Sequence, residues 1–139
     1  MLNTQNQTTT LNYKESNEWK SWNPKRGEVY LIDLGDEGMD SEQMGLRPCV
    51  ILSNNRGNTY GSIIQVAPIT SQKKNKLPIH VTLDQRDGLK VRSLVCIEQA
   101  KCISKRRAFI NNSFILITQL SQMKMKEIDN AIKIQFALN

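Results

Sequence analysis

A chain of 139 residues and 15.9 kDa, 39% hydrophobic and 23% charged, holds enough apolar material for one core and is short for two domains. No apolar run approaches the roughly 20 residues of a membrane helix, and the start Met1-Leu2-Asn3-Thr4-Gln5 lacks the basic and apolar parts of a secretion signal, so a soluble, cytoplasmic protein is expected. The net charge of +6 is unevenly laid: six acids and no base lie from Glu28 to Leu46, and ten bases against three acids from Gln72 to Arg107, a pattern suited to a polyanion such as nucleic acid.

Nine of the first twelve residues are Asn, Thr or Gln, so residues 1–23 are expected to be a flexible extension and 24–139 the folded domain. Trp19 and Trp22 are the exceptions in that extension and are expected to anchor it on the domain. From Arg26 onward short β-type runs alternate with turn residues. Strands are predicted over Glu28–Leu34, Pro48–Ser53, Ile63–Ile69, Ile79–Leu83, Leu94–Ala100 and Arg107–Ile110. A Gly- and acid-rich loop, Gly35–Gly45, separates the first two, and a loop at Asn54–Asn58 follows the second. Ser121 can cap a final helix running to Leu138, whose apolar stripe is Met125, Ile128, Ile132 and Phe136. The spacing predicts a mainly β protein with a C-terminal helix, built on a small barrel.

Several chemistries are excluded. There is no P-loop, GxGxxG, HExxH or GxSxG, and no internal repeat. The one histidine, His80, cannot form a two-histidine acid–base pair. The cysteines Cys49, Cys96 and Cys102 lack ligand spacing and sit among aliphatic residues, so they read as small buried hydrophobes and no metal site is expected. His80 itself reads as a half-exposed strand residue or as a ligand contact.

RNA cleavage makes smaller demands, because the 2′-hydroxyl beside the scissile phosphate is a built-in nucleophile. The protein must hold the strand in line, move a proton and stabilise the phosphorane. Arginine suits the last task through its planar fork, and a threonine hydroxyl can hold a phosphate oxygen. Arg47, in Gly45-Leu46-Arg47-Pro48, and the hydroxyls of Thr70 and Ser71, placed after a strand end, offer those groups. Alternatively, Arg47 pairs with Glu42 and the two hydroxyls cap a turn.

Four elements occur in order: Arg26-Gly27-Glu28-Val29-Tyr30, Gly45-Leu46-Arg47-Pro48-Cys49-Val50-Ile51-Leu52-Ser53-Asn54, Pro68-Ile69-Thr70-Ser71 and Glu98-Gln99. Together they resemble the MazF/PemK family of bacterial toxin–antitoxin endoribonucleases, over about Lys25 to Leu138. The resemblance implies an SH3-like barrel of the MazF/PemK/CcdB type and a cytoplasmic homodimer. It further implies metal- and cofactor-independent cleavage of single-stranded RNA to 2′,3′-cyclic phosphate and 5′-hydroxyl ends, and a cognate antitoxin as partner. By the same resemblance Arg47 and Thr70 match the catalytic pair. Arg26, Glu42, Gln43, Gln72, Leu77, His80, Glu98 and Gln99 match the RNA groove, and Ser71 is added from its place beside Thr70. Glu42 is the candidate base for the 2′-hydroxyl proton; its rival role is to orient Arg47. Other readings are a catalytically silent nucleic-acid-binding barrel, a CcdB-like topoisomerase inhibitor, and a metal-dependent nuclease.

Overall fold

The computed structural model describes residues 17–72 and 76–139. Residues 1–16 of the expected extension, and Lys73 and Lys74 of the basic loop, lie outside the described residues. A short helix α1 (Glu18–Ser21) leads into strands β1 (Glu28–Asp33) and β2 (Leu46–Ile51), helix α2 (Asn55–Tyr60), and strands β3 (Ile63–Ser71), β4 (His80–Leu83), β5 (Ser93–Cys96) and β6 (Lys101–Ser104). A hairpin of β7 (Phe109–Ile110) and β8 (Ser113–Phe114), then β9 (Leu116–Gln119) and the C-terminal helix α3 (Gln122–Gln135), complete the chain. The main sheet is antiparallel and curled, in the order β4-β5-β3-β2-β1-β9, with β6 also on β3. This is the mainly β half-barrel with a C-terminal helix that the strand spacing predicts.

β3 is the pivot. Its first residues pair with β6, Val66–Pro68 pair with β2, and Ile69–Ser71 pair with β5. Side chains alternate across a strand, and each face buries its own cluster. One face carries Val29, Val50, Ala67, Ile69, Val81 and Val95 under Ile128 and Ala131 of α3. The other carries Tyr30, Ile32, Cys49, Ile51, Ile64 and Val66 around Trp22. Helix α3 is fastened at two further points, by the Arg26–Asp129 ion pair at 2.6 Å and by Lys124 Nζ donating to the Thr82 carbonyl at 2.9 Å.

Some expectations hold and others need correction. Trp22 packs on the domain as expected: it is buried, stacks on Phe114 with ring centroids 4.4 Å apart and meets Tyr30 edge-on. Its carbonyl accepts a hydrogen bond from the buried Lys105 Nζ at 3.2 Å. The loop at Asn54–Asn58 folds as α2, since the Asn54 side chain caps it by accepting from Gly57 N–H, and Asn58 is fully buried against Ser53. The strand predicted over Leu94–Ala100 is cut by a 3₁₀ turn at Ile97–Gln99 into β5 and β6, and Lys105–Ala108 forms another such turn before β7. β9 was hidden by its mixed exposure. Helix α3 stops at Gln135 because Ala137 turns left-handed (φ 55°), which leaves Phe136 60% exposed instead of in the stripe. Cys102 is exposed; Cys49 and Cys96 are buried.

Two glycines are required where they stand. Gly45 takes φ +79° immediately before β2 and so sets the entry of Arg47. At Gly88, φ is +97° and a Cβ would meet Thr118 Oγ1 at 2.3 Å, so the β4–β5 connection can seat on β9 only without a side chain.

Candidate functional site

Arg47 is the second residue of β2 and half-buried. On that strand Val50 faces the core under α3, whereas Cys49 and Ile51 face the opposite side, and Arg47 continues their row. Thr70 continues the row of Ile64 and Val66 on β3. The β2–β3 register pairs Cys49 with Pro68, and carried two residues further it sets Arg47 opposite Thr70. The two side chains therefore share a face of the sheet on neighbouring strands. Thr70 lies within β3, which runs to Ser71, so the expectation that the hydroxyls follow a strand end is corrected.

The guanidinium is held by one bond, Nε donating to the Met44 carbonyl at 2.8 Å. Among the described residues its terminal amino groups have no protein partner and it forms no ion pair. The alternative in which Glu42 orients Arg47 is thus not realised; Glu42 Oε1 accepts instead from the Met39 N–H at 3.1 Å. An unneutralised fork beside a hydroxyl can receive a phosphate.

The same face continues across the sheet. Thr70 pairs with Leu94 on β5, and His80 on β4 pairs with Cys96, two residues along. His80 is 9% exposed and its two nitrogens have distinct roles. Nδ1 accepts from the Leu77 main-chain N–H at 3.1 Å, which leaves the proton on Nε2 to be donated to Glu98 Oε2 at 2.7 Å. The Arg47 charge reaches this group. The Cys96 thiol is pushed up to about 11 by burial and by Glu98, with Arg47 pulling the other way. Burial pushes Cys49 up to about 12 against the pull of Lys101 and Arg47. Both thiols are protonated at neutral pH.

Beyond Glu98 lies a cavity of about 430 Å³ lined by Glu42, Gln43, Glu98, Gln99 and Lys101, among others. Gln99 closes it at one side: its Oε1 accepts from the Gln43 N–H at 2.7 Å and its Nε2 donates to the Ser41 carbonyl at 2.7 Å. The acidic loop is thereby latched to the turn after β5.

Strand alternation thus sets Arg47, Thr70 and His80 on one face, and Glu98 links His80 to the cavity of Glu42, Gln43 and Gln99. Four other candidates lie off this row. Arg26 is beside Leu52, five residues along β2 from Arg47 or roughly 17 Å, with its Nε on the Leu52 carbonyl and its Nη2 on Asp129. Ser71 alternates away from Thr70 but lines a largely apolar cavity of about 580 Å³ that Arg47 also lines, with Leu31, Leu46, Ile69 and Val91. Gln72 ends β3 with its main-chain N–H on the Arg92 carbonyl and its Oε1 accepting from Arg92 Nε. Leu77 is exposed and reaches the site through its main chain, its N–H on His80 Nδ1 and its carbonyl accepting from the His80 N–H at 2.9 Å. Sequence reasoning missed the Met44 carbonyl that holds Arg47, and Cys96 beside His80. The first has no side-chain signature, and the second follows only from the β4–β5 register.

Comparison with known proteins gives a consistent answer. Residues 25–136 match the profile of the PemK-like, MazF-like toxins of type II toxin–antitoxin systems. An endoribonuclease MazF of Staphylococcus saprophyticus is 39% identical over 117 residues, spanning 83% of this chain and 92% of that protein. Among solved structures, MazF of Deinococcus radiodurans superposes with a TM-score of 0.68 at 19% identity, over 84% of this chain and 98% of its own. A mycobacterial endoribonuclease in complex with its cognate antitoxin gives 0.64 at 22% identity, over 84% and 96%. At these identities the two structures speak for the fold.

Proposed function

The chain belongs to the PemK-like, MazF-like toxins of type II toxin–antitoxin systems, and we propose that it cleaves single-stranded RNA at the corner formed by Arg47 and Thr70. It is an endoribonuclease toxin whose partner is an antitoxin. The observation that carries the chemistry is the placement of Arg47 and Thr70 on one face of neighbouring strands, with the guanidinium fork unneutralised.

In the proposed reaction the 2′-hydroxyl of the substrate attacks the adjacent phosphorus. The 5′-oxygen leaves, giving 2′,3′-cyclic phosphate and 5′-hydroxyl ends with no protein nucleophile and no metal in the step. Arg47 stabilises the added charge on the equatorial oxygens and is the proposed donor of the proton that the leaving 5′-oxygen takes up, which it regains from solvent. Thr70 hydrogen-bonds a phosphate oxygen and fixes the in-line geometry. Glu42, free of Arg47 and lining the adjoining cavity, is the proposed acceptor of the 2′-hydroxyl proton. His80, Glu98, Gln43 and Gln99 contact bases, since amide and carboxylate groups read the edges of splayed, unpaired nucleotides.

We propose a homodimer as the working unit, in the cytoplasm where the RNA is. The exposed apolar side chains of Leu46, Val91, Ile115 and Leu116 around the cavity behind Ser71 support self-association. Among the described residues no helix is long and apolar enough to cross a membrane.

The test is RNA incubated with the purified protein in excess EDTA, followed by end-group analysis. Discrete fragments with cyclic phosphate ends are expected. Fragments that vanish with EDTA would turn the reading to a metal-dependent nuclease. Intact RNA that is bound would turn it to a silent binder, and intact RNA with blocked DNA supercoiling to a topoisomerase inhibitor.

A further inference from the structure

We propose that His80, Cys96 and Glu98 form a binding site for a zinc-class divalent cation, and that its occupancy shuts the RNA-binding surface. The sequence excludes such a site on spacing, because Cys96 and His80 lie sixteen residues apart and no CxxC pair exists. The fold removes that objection: His80 and Cys96 are direct cross-strand partners on β4 and β5, and Glu98 follows on the 3₁₀ turn. One ligand atom from each of the three lies within 4.8 Å of the others.

The ligand set is an imidazole nitrogen, a sulfur and a carboxylate oxygen, the mixture that borderline-soft cations such as Zn²⁺ prefer. Tetrahedral bonds of about 2.0–2.3 Å hold such atoms roughly 3.3–3.6 Å apart. The sulfur, within 4.8 Å of the other two atoms and now donating to the Leu94 carbonyl at 3.8 Å, has about an ångström at most to close, and His80 Nε2 and Glu98 Oε2, now 2.7 Å apart, need to open by somewhat more than half an ångström. Two of the ligands are buried on a rigid strand pair, His80 at 9% and Cys96 at 3% exposure. Glu98 stands at the mouth, so a fourth position faces the cavity and remains open to water.

The protons balance simply. The Cys96 thiol loses one proton to solvent as the metal–sulfur bond forms. The imidazole stays neutral but moves its proton from Nε2 to Nδ1, so it can no longer accept from the Leu77 N–H. Each cation bound thus releases one proton net and breaks the Leu77 N–H to Nδ1 bond, leaving the His80 N–H on the Leu77 carbonyl. Metal occupancy also takes both His80 and Glu98 away from any nucleotide. This inhibitory consequence rests on the RNA-cleaving reading of the site; the binding itself does not.

Cobalt(II) is the probe. Titrated into the full chain in thiol-free buffer, it is expected to give a thiolate-to-cobalt band in the near ultraviolet and tetrahedral bands in the visible, at one cobalt per chain. Calorimetry in buffers of different ionisation enthalpy should give one proton released. Cys96→Ser should lose the ultraviolet band and Cys102→Ser should keep it. Should Cys96→Ser fold poorly by circular dichroism, Glu98→Ala at the exposed mouth serves instead. It should weaken cobalt binding about 10-fold or more, a loss that even supporting partners of metal ligands cause. No band, or a band that survives both variants, overturns the site. Stoichiometric Zn²⁺ should then stop cleavage by the wild type and spare folded Cys96→Ser. If cobalt binds but Zn²⁺ leaves cleavage intact, the inhibitory role is overturned and the site stands. If metal-free protein never cuts RNA, the RNA-cleaving reading fails while the cobalt result is unaffected.

Discussion

Arg47 gives one of its N–H groups to a main-chain carbonyl, and among the described residues the others have no protein partner. Replacing it by lysine preserves the charge but loses the fork. Arg47→Lys should lower kcat about 10²–10³-fold with an unchanged melting temperature, read by a fluorogenic RNA assay beside thermal denaturation. Thr70→Val loses a single hydrogen bond to an anionic oxygen, and its kcat should fall about 10–100-fold. Glu42→Gln tests the proposed base: kcat should fall with KM unchanged, whereas a residue that only contacts RNA would change KM. At this scale the sequence was informative about identity and weak about company. Arg47 and Thr70 are legible because a short motif carries each. That Arg26 would be committed to Asp129 on α3, and that Ser71 would face the opposite side from Thr70, are facts of tertiary pairing and strand alternation. Neither has a local signal.

Elements carry their own consequences. Helix α2 exists because Asn58 is fully buried and makes both its side-chain bonds to Ser53. Asn58→Ala strands those groups and should destabilise the fold by about 1–3 kcal/mol, measured by urea denaturation. The turn of Lys105–Ala108 buries the Lys105 ammonium against the Trp22 carbonyl, and burial holds its pKa below the usual lysine value. In the fold the charged form is penalised, so between the lowered folded value and the unfolded 10.5 the unfolded chain binds more protons. Unfolding free energy should therefore rise with pH across that window and be lost again as pH falls through the folded value, and Lys105→Met should flatten the rise. The strands with unbroken apolar runs, β1 to β3, were legible to within two or three residues. The break of β5 from β6 was not, because Ile97 is as apolar as a strand residue and the 3₁₀ turn is imposed by packing under α3. β9 was missed because its side chains are only partly covered.

At the scale of the whole molecule, a curled sheet leaves two unlike outer surfaces. One holds the polar cavity of Glu42, Gln43, Glu98 and Gln99; the other holds the apolar cavity bordered by Leu46, Val91 and Ile115, which Arg47 also lines. Self-association through the apolar side should be broken by Leu46→Asp or Leu116→Asp, since both are more than half exposed and neither supports the core. Sizing with light scattering should show half the wild-type mass and an unchanged circular dichroism spectrum; retention of the dimer by both variants would place the interface elsewhere. The bond from Met44 to Arg47 has a wider implication. Because it is made by a peptide oxygen, no side chain between residues 36 and 44 is needed to aim the guanidinium. Apart from Glu42, the proposed base, descendants of this gene are free to exchange those side chains while the proposed blade stays where it is.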